Sequence, residues 1–213
     1  MFLTDLDSII FYSTFATYKK VFLLSMNKLI IFSAPSGSGK TTIVRELLKC
    51  KDLNLSFSIS TTSREPRGQE QNGIDYYFIS VEAFKKQIEN QEFLEWEEVY
   101  TKTFYGTSKK EIERLWQLRK NILLDIDVFG GINVKKQFGT KALSLFIQPP
   151  SIDILRQRLE NRQTDSAEKI AIRLAKAQKE MEQAIHFDQI IVNDNLATAV
   201  AQTEKIIRNF LEK

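Results

Sequence analysis

One stretch constrains this chain more than any other: Ser33-Ala34-Pro35-Ser36-Gly37-Ser38-Gly39-Lys40-Thr41-Thr42. The apolar run Leu29-Ile30-Ile31-Phe32 leads into it, and a helical pattern of Ile43, Val44, Leu47 and Leu48 leads out. Strand, glycine-bearing loop, Lys-Thr and helix is the context that turns a phosphate-loop match into a site. Gly37 and Gly39 let successive backbone N–H groups curl into a concave nest that a Cβ obstructs. The helix N-terminus adds partial positive charge and free donors. Lys40 reaches terminal phosphates, and the Thr41 hydroxyl suits Mg²⁺. The general pattern has Gly six positions before Lys40, where Ala34 stands here. The nest glycines and Lys-Thr are intact, so the departure is small. Read without its flanks, the stretch is a Ser/Gly turn capping a helix.

With 213 residues, 43% hydrophobic and 27% charged, the chain suits one globular domain with subdomains. The 30 Lys+Arg against 27 Asp+Glu leave a net charge of +3, too balanced to argue for a nucleic-acid partner. A single cysteine, Cys50, excludes an internal disulfide and a multi-cysteine metal site; a buried structural thiol is expected there. His186, the single histidine, falls between a helix and a strand and reads as a junction residue. Residues 1–25 lack a basic n-region, so no secretory signal is read there. No apolar stretch reaches spanning length, and no membrane partner is expected. Met26 sits two residues before the first strand run, and the expectation is a natural start there, with 1–25 an extension.

Alternation of element types predicts a parallel sheet with helices on both faces. Strands are predicted over 28–33, 55–60, 76–79, 121–127, 142–148 and 187–193, the last as a core strand. Helices are predicted over 41–49, 81–90 with Ser80 as N-cap, 109–120, 131–138, 151–161, 166–184 and 196–211. The stretch 61–73 is polar and basic without apolar period, and 92–100 alternates only in part. Residues 58–108 together read as a small mixed α/β insert. Ligands of such sheets bind at the carboxyl ends of strands, where the loop, Asp125 and Asp127 lie.

A phosphate loop specifies a nucleoside triphosphate but not the acceptor. The stretch Ser60–Glu70 offers Arg64 and Arg67 around the stiff Pro66. Two guanidinium forks can grip one phosphate bidentately, with Tyr76 and Tyr105 adding phenolic donors. Taken alone, two arginines in a loop are more often solvated surface than a site. Glu95 stands among Phe93, Leu94 and Trp96, and Thr107 follows Gly106. A guanine edge presents donors at N1 and N2 and an acceptor at O6. Carboxylates at Glu95 and Asp127 match the donors, and the Thr107 hydroxyl matches O6. The competing reading makes Glu95 a surface acid in an acidic stretch with Glu89, Glu92, Glu97 and Glu98.

In family order, Ala34–Thr41, Ser60–Glu70, Asn72–Phe78, Glu92–Trp96, Phe104–Thr107, Leu123–Asp127, Pro149–Ser151 leading to Arg158–Arg162, and Ile191–Asp194 resemble a guanylate kinase. The resemblance covers Lys28 to Lys213. It implies a P-loop kinase three-layer α/β fold: core 26–57, 109–150 and 186–213, GMP-binding insert 58–108, helical lid 151–185. It implies reversible transfer of the ATP γ-phosphoryl group to GMP, and to dGMP, with Mg²⁺, in the cytoplasm, by a monomer or homodimer. By match, residues Ala34 to Thr42 and Asn193 hold ATP. Ser60, Glu95, Thr107 and Asp127 hold the guanine side of GMP, Arg64, Arg67, Tyr76 and Tyr105 hold its phosphate, and Glu70 is a further GMP-binding residue. Lys40, Arg64, Arg67, Arg158, Arg162 and Arg173 carry catalysis; Thr41 ligates Mg²⁺, and Asp125 orders it through water.

Gln163 replaces a glycine common in the family's lid turn, Phe104 a tyrosine and Phe129 a glutamine; none removes a charge from the reacting phosphates. Two rivals stand beside this reading. One is a kinase of AMP or a pyrimidine monophosphate, against which Glu95 and Thr107 argue. The other is a scaffold module that binds phosphopeptides without catalysis, against which the intact loop argues.

Overall fold

The computed structural model describes residues 28–161 and 166–212. The expectations for residues 1–25, Met26, Arg162 and Gln163 lie outside the described residues. In chain order, β1 (Leu29–Ser33) runs through the loop into α1 (Lys40–Leu47), and β2 (Leu55–Phe57) follows. Then come β3 (Thr61–Thr62), β4 (Tyr77–Phe78), α2 (Val81–Glu89), β5 (Phe93–Tyr100) and β6 (Thr103–Ser108). Next are α3 (Lys109–Gln117), β7 (Asn121–Asp125), α4 (Val128–Phe138) and β8 (Ala142–Gln148). The described chain closes with α5 (Ile152–Glu160), α6 (Ala167–Glu182), β9 (Gln189–Val192) and α7 (Leu196–Leu211).

A five-stranded parallel sheet has the order β2-β7-β1-β8-β9. All of β1 is buried, as its unbroken apolar run requires of a central strand covered on both faces. On one face Ile30, Phe32 and Leu145 pack against Ile43 and Leu47 of α1 and Ile207 of α7. On the other, Leu29, Ile31 and Leu124 meet Ile112 and Leu115 of α3 and Val134 of α4. The predicted parallel sheet with helices on both faces is what the chain forms. A second sheet, four-stranded and mixed, has the order β4-β3-β6-β5. Behind it Phe84 of α2 stacks on Phe93 at 4.3 Å and on Phe104 at 5.4 Å. Helices α5 and α6 pair through Leu155, Leu159, Ile170 and Leu174.

Several boundaries differ from the sequence reading. The polar stretch 61–73 contains strand β3, because Thr61 and Thr62 are buried and Thr62 Oγ1 donates to Phe104 O at 2.9 Å. Two residues are too few to show a period. The strand β6 was not expected, since Gly106 interrupts its pattern; a Cβ there meets Glu95 O at 2.9 Å, so the glycine marks close approach of β5. The strand predicted over 55–60 ends at Phe57. The helix predicted over 131–138 begins at Val128, capped by Asp127. Strand β9 is the last strand of the core sheet, as expected, and lies at its edge: Ile191 is buried while Ile190 and Val192 are exposed. Cys50 is half-buried, its thiol donating to Glu46 O at 3.9 Å, and burial pushes its pKa up. His186 is exposed at the turn between α6 and β9, a junction residue as expected.

Candidate active site

Between β1 and α1 the chain bends through Gly37 at φ +100° and Gly39 at φ +90°. These left-handed conformations suit glycine and strain an L side chain. Gly39 is also the N-cap of α1, with no side-chain cap, and no acid lies in the first turn. The first N–H groups of α1 therefore lack both side-chain acceptors and a local negative charge, which leaves them directed at an anion. Thr41 and Thr42 are exposed on that first turn. Lys40 Nζ forms an ion pair with Asp125 at the carboxyl end of β7.

Three later elements brace the loop. Asn193, buried after β9, donates from its side-chain amide to Ser38 O at 2.7 Å, directly beneath Gly39. Arg158 of α5 donates to Asn193 O at 2.9 Å. Arg173 of α6 donates to Ser36 Oγ at 3.0 Å. A Cβ on Gly37 lies 2.9 Å from Leu155, so α5 also needs the glycine for its packing. Ala34 and Pro35 open the turn, and Pro35 O accepts from Ser38 N at 3.1 Å.

The second set gathers around Arg64. Its guanidinium donates to both Glu70 oxygens, at 2.6 Å and 2.8 Å, and its Nε donates to the Tyr105 hydroxyl at 2.9 Å. It also lies 4.9 Å from the centre of the Tyr76 ring. Glu70 accepts from the Arg67 backbone N–H as well, at 2.8 Å. The Arg64 hydrogen bonds hold its pKa down to about 2. Glu70 thus aims Arg64 and shapes the turn, while the Arg67 side chain is exposed.

Glu95 and Thr107 are direct partners across β5 and β6, and Thr107 Oγ1 donates to Glu95 Oε1 at 2.6 Å. Burial pushes the Glu95 carboxyl up to about 7, with Asp127 adding repulsion and the Thr107 hydroxyl opposing the shift. Asp127 Oδ1 accepts the backbone N–H groups of Phe129 and Gly130 at 2.8 Å and 3.0 Å, which leaves Oδ2 toward Glu95. Gly130 sits beneath the pair: a Cβ there lies 2.7 Å from Asp127 Oδ2 and 2.8 Å from Glu95 Oε2. A cavity of about 150 Å³ joins the two sets; Lys40, Asp125, Tyr76, Tyr105, Glu95 and Asp127 line it, with Ser60 at its edge.

Glu97 also lines this cavity, and the sequence reading had grouped it with surface acids. The signal that finds it is the period of β5, which puts residues 95 and 97 on one face. Burial raises the Glu97 carboxyl, and Asp127 adds to the rise. Glu180 of α6 is likewise buried and raised, facing Lys40 and Asp127.

An anion cradle at the end of one parallel sheet, opening on the same cavity as the carboxylates and Arg64-bound tyrosines of a second sheet, defines a phosphotransferase of the P-loop class. A sequence model described as Guanylate kinase matches residues 26–210. A guanylate kinase of Bacteroides thetaiotaomicron is 52% identical over 203 residues, covering 94% of this chain and 99% of that protein. One of Porphyromonas gingivalis is 53% identical over 188 residues, 88% of this chain and 100% of that protein. The crystal structure of guanylate kinase from Anaplasma phagocytophilum matches with a TM-score of 0.71 at 29% identity, covering 89% of this chain and 88% of that one. The chain belongs to the guanylate kinase family.

The pKa of Glu95 gives a prediction. A guanine edge needs an ionised acceptor there; a protonated carboxyl turns one oxygen into a donor facing donors. We expect the KM for GMP to rise by up to about tenfold per pH unit below about 7, while the KM for ATP does not follow. Glu95→Gln should abolish that part of the slope, and an identical slope in the variant would assign it to the substrate phosphate. The sign for folding is the opposite one. A carboxyl raised by folding favours the native state below its unfolded value of 4.5, and that contribution is lost as pH rises through about 7.

Proposed function

We propose that this chain transfers the γ-phosphoryl group of ATP to GMP, reversibly, giving ADP and GDP. The carrying observation is the single cavity that has Lys40 and Asp125 at one side and Glu95 and Asp127 at another, with Tyr76 and Tyr105 beside Arg64. The acceptor oxygen of a phosphate is already ionised, so no general base is needed; alignment and charge neutralisation suffice. Lys40 and the N–H groups opening α1 hold the donor phosphates. Arg64 and Arg67 hold the acceptor phosphate with Tyr76 and Tyr105, and Glu70 aims Arg64 at it. Arg158, Arg162 and Arg173 meet charge on the moving group, and Ser60, Glu95, Thr107 and Asp127 read guanine. Asn193 supports the ATP loop from beneath.

Among the described residues no group of three or more His, Cys, Asp or Glu forms a metal cage. The exposed Thr41 hydroxyl and the Asp125 carboxylate are hard oxygen donors that suit Mg²⁺, which keeps its waters and arrives with substrate phosphates. Thr41 would ligate it and Asp125 would order it through water, and there it would neutralise negative charge on the donor phosphates. In our reading the core is 26–57, 109–150 and 186–213, the GMP insert 58–108 and the lid 151–185. Closing of insert and lid excludes water, which otherwise hydrolyses ATP. No helix among the described residues is long and apolar enough to cross a membrane; action in the cytoplasm is our reading from the family the chain belongs to.

ADP production measured with GMP, AMP, UMP and dTMP side by side tests the assignment. We expect GMP to exceed each of the other three by at least about a hundredfold in kcat/KM, because buried donors and acceptors are left unpaired by the wrong base. Comparable rates with AMP would overturn the base-reading roles of Glu95 and Thr107.

A further inference from the structure

The roles above leave one carboxylate of the cavity without a task. Glu97 Oε2 is buried and meets no hydrogen-bond donor among the described residues; the polar group it faces is the Asp127 carboxylate, itself an acceptor. Buried polar groups are generally paired, so an acceptor kept without a partner is suited to a donor that arrives with a ligand. Its position says which part of the ligand that is. Glu97 follows Glu95 on the same face of β5 and lies directly across the ladder from Tyr105, which holds Arg64. It therefore stands between the guanine-reading pair Glu95–Thr107 and the phosphate-gripping pair Arg64–Tyr105.

Elimination then narrows the donor. The N1 and N2 hydrogens of guanine are matched by Glu95 and Asp127. The phosphate carries no hydrogen to donate when fully ionised, and a carboxylate repels it. The sugar hydroxyls remain, and of these the 2′-hydroxyl is the one nearer the base. We propose that Glu97 accepts a hydrogen bond from the ribose 2′-hydroxyl of GMP and so sets a preference for GMP over dGMP. This rests on the assignment of GMP as acceptor.

The test is kcat/KM for GMP and for dGMP, with ATP saturating, in wild type, Glu97→Ala and Glu97→Gln. A hydrogen bond to a charged group in a buried site is worth about tenfold or more. Wild type should therefore prefer GMP by at least about tenfold. Glu97→Ala should bring the two substrates within about twofold, with the loss on the GMP side and the KM for ATP unchanged. Glu97→Gln keeps a carbonyl acceptor and should fall between. Removing Glu97 leaves no partner of Oε2 unpaired, so a melt close to wild type is expected, and the near-isosteric Gln variant carries the test if the Ala variant unfolds. An unchanged GMP/dGMP ratio overturns the proposal. So do equal losses on GMP, dGMP and ATP, which would assign Glu97 to closing α6 through the nearby Lys176. A wild type inactive on both monophosphates refutes the GMP assignment itself, whereas good GMP turnover with an unmoved ratio refutes only the role of Glu97.

Discussion

Lys40→Ala should lower kcat by about a thousandfold or more while the protein keeps its fold. Charge spreads over the transferred phosphoryl group in the transition state, and fixed positive groups in a water-poor cleft account for most of its stabilisation. Lys40 opens α1, so its ammonium adds a full charge to the partial charge of the helix terminus. Its ion pair with Asp125 keeps it on the cavity side, and at 17% and 21% exposure both side chains border solvent, so water can reach Asp125 when the lysine is removed. The loop itself is held by Asn193 and by the backbone at Gly37 and Gly39, none of which the substitution touches. Circular dichroism and a thermal melt near wild type, together with stopped-flow single turnovers, separate the two effects. A kcat within tenfold of wild type would remove Lys40 from the reaction.

Arg64→Ala should raise the KM for GMP by about a hundredfold and lower kcat, with the KM for ATP changed less than about threefold. Two effects add. The acceptor phosphate loses a bidentate cation. The Glu70 carboxylate, now held at about 2 by the guanidinium, loses its partner and stays as a negative charge beside the incoming phosphate. The second effect is separable, because Arg64→Ala with Glu70→Gln should recover part of the GMP affinity, about fivefold to tenfold. A double-mutant cycle measures that coupling. Arg64→Lys should not rescue, since a single ammonium cannot span both Glu70 oxygens and Tyr105 while lying on the Tyr76 ring. Equal rises in both KM values would mean that Arg64 supports the fold and not the acceptor.

The two halves of the site were legible to different degrees. The donor half was read almost whole from Ser33 to Thr42, because its nest, its cation and its helix terminus are contiguous in the chain. The acceptor half was named residue by residue but not assembled. Glu70 reads only as a GMP-binding residue from its place in the motif, and its geometry makes it the carboxylate that aims Arg64. Asp127 reads as a base contact, and it also caps α4 with one oxygen, which orients the other. Glu97 was lost among neighbouring acids, because Gly106 hides the strand that pairs with it.

By itself, the sequence determined the phosphate-binding loop, the parallel core sheet and the residue types the acceptor site draws on, since each is encoded in local runs of apolar, glycine and charged residues. Only the tertiary structure decided which carboxylates share a cavity, which arginine is pre-aimed and which faces solvent, and where Asn193 braces the loop. Those depend on strand register and on pairings between separate elements, from Glu95 with Thr107, 12 residues apart, to Ser38 with Asn193, 155 apart, and no local pattern carries such pairings.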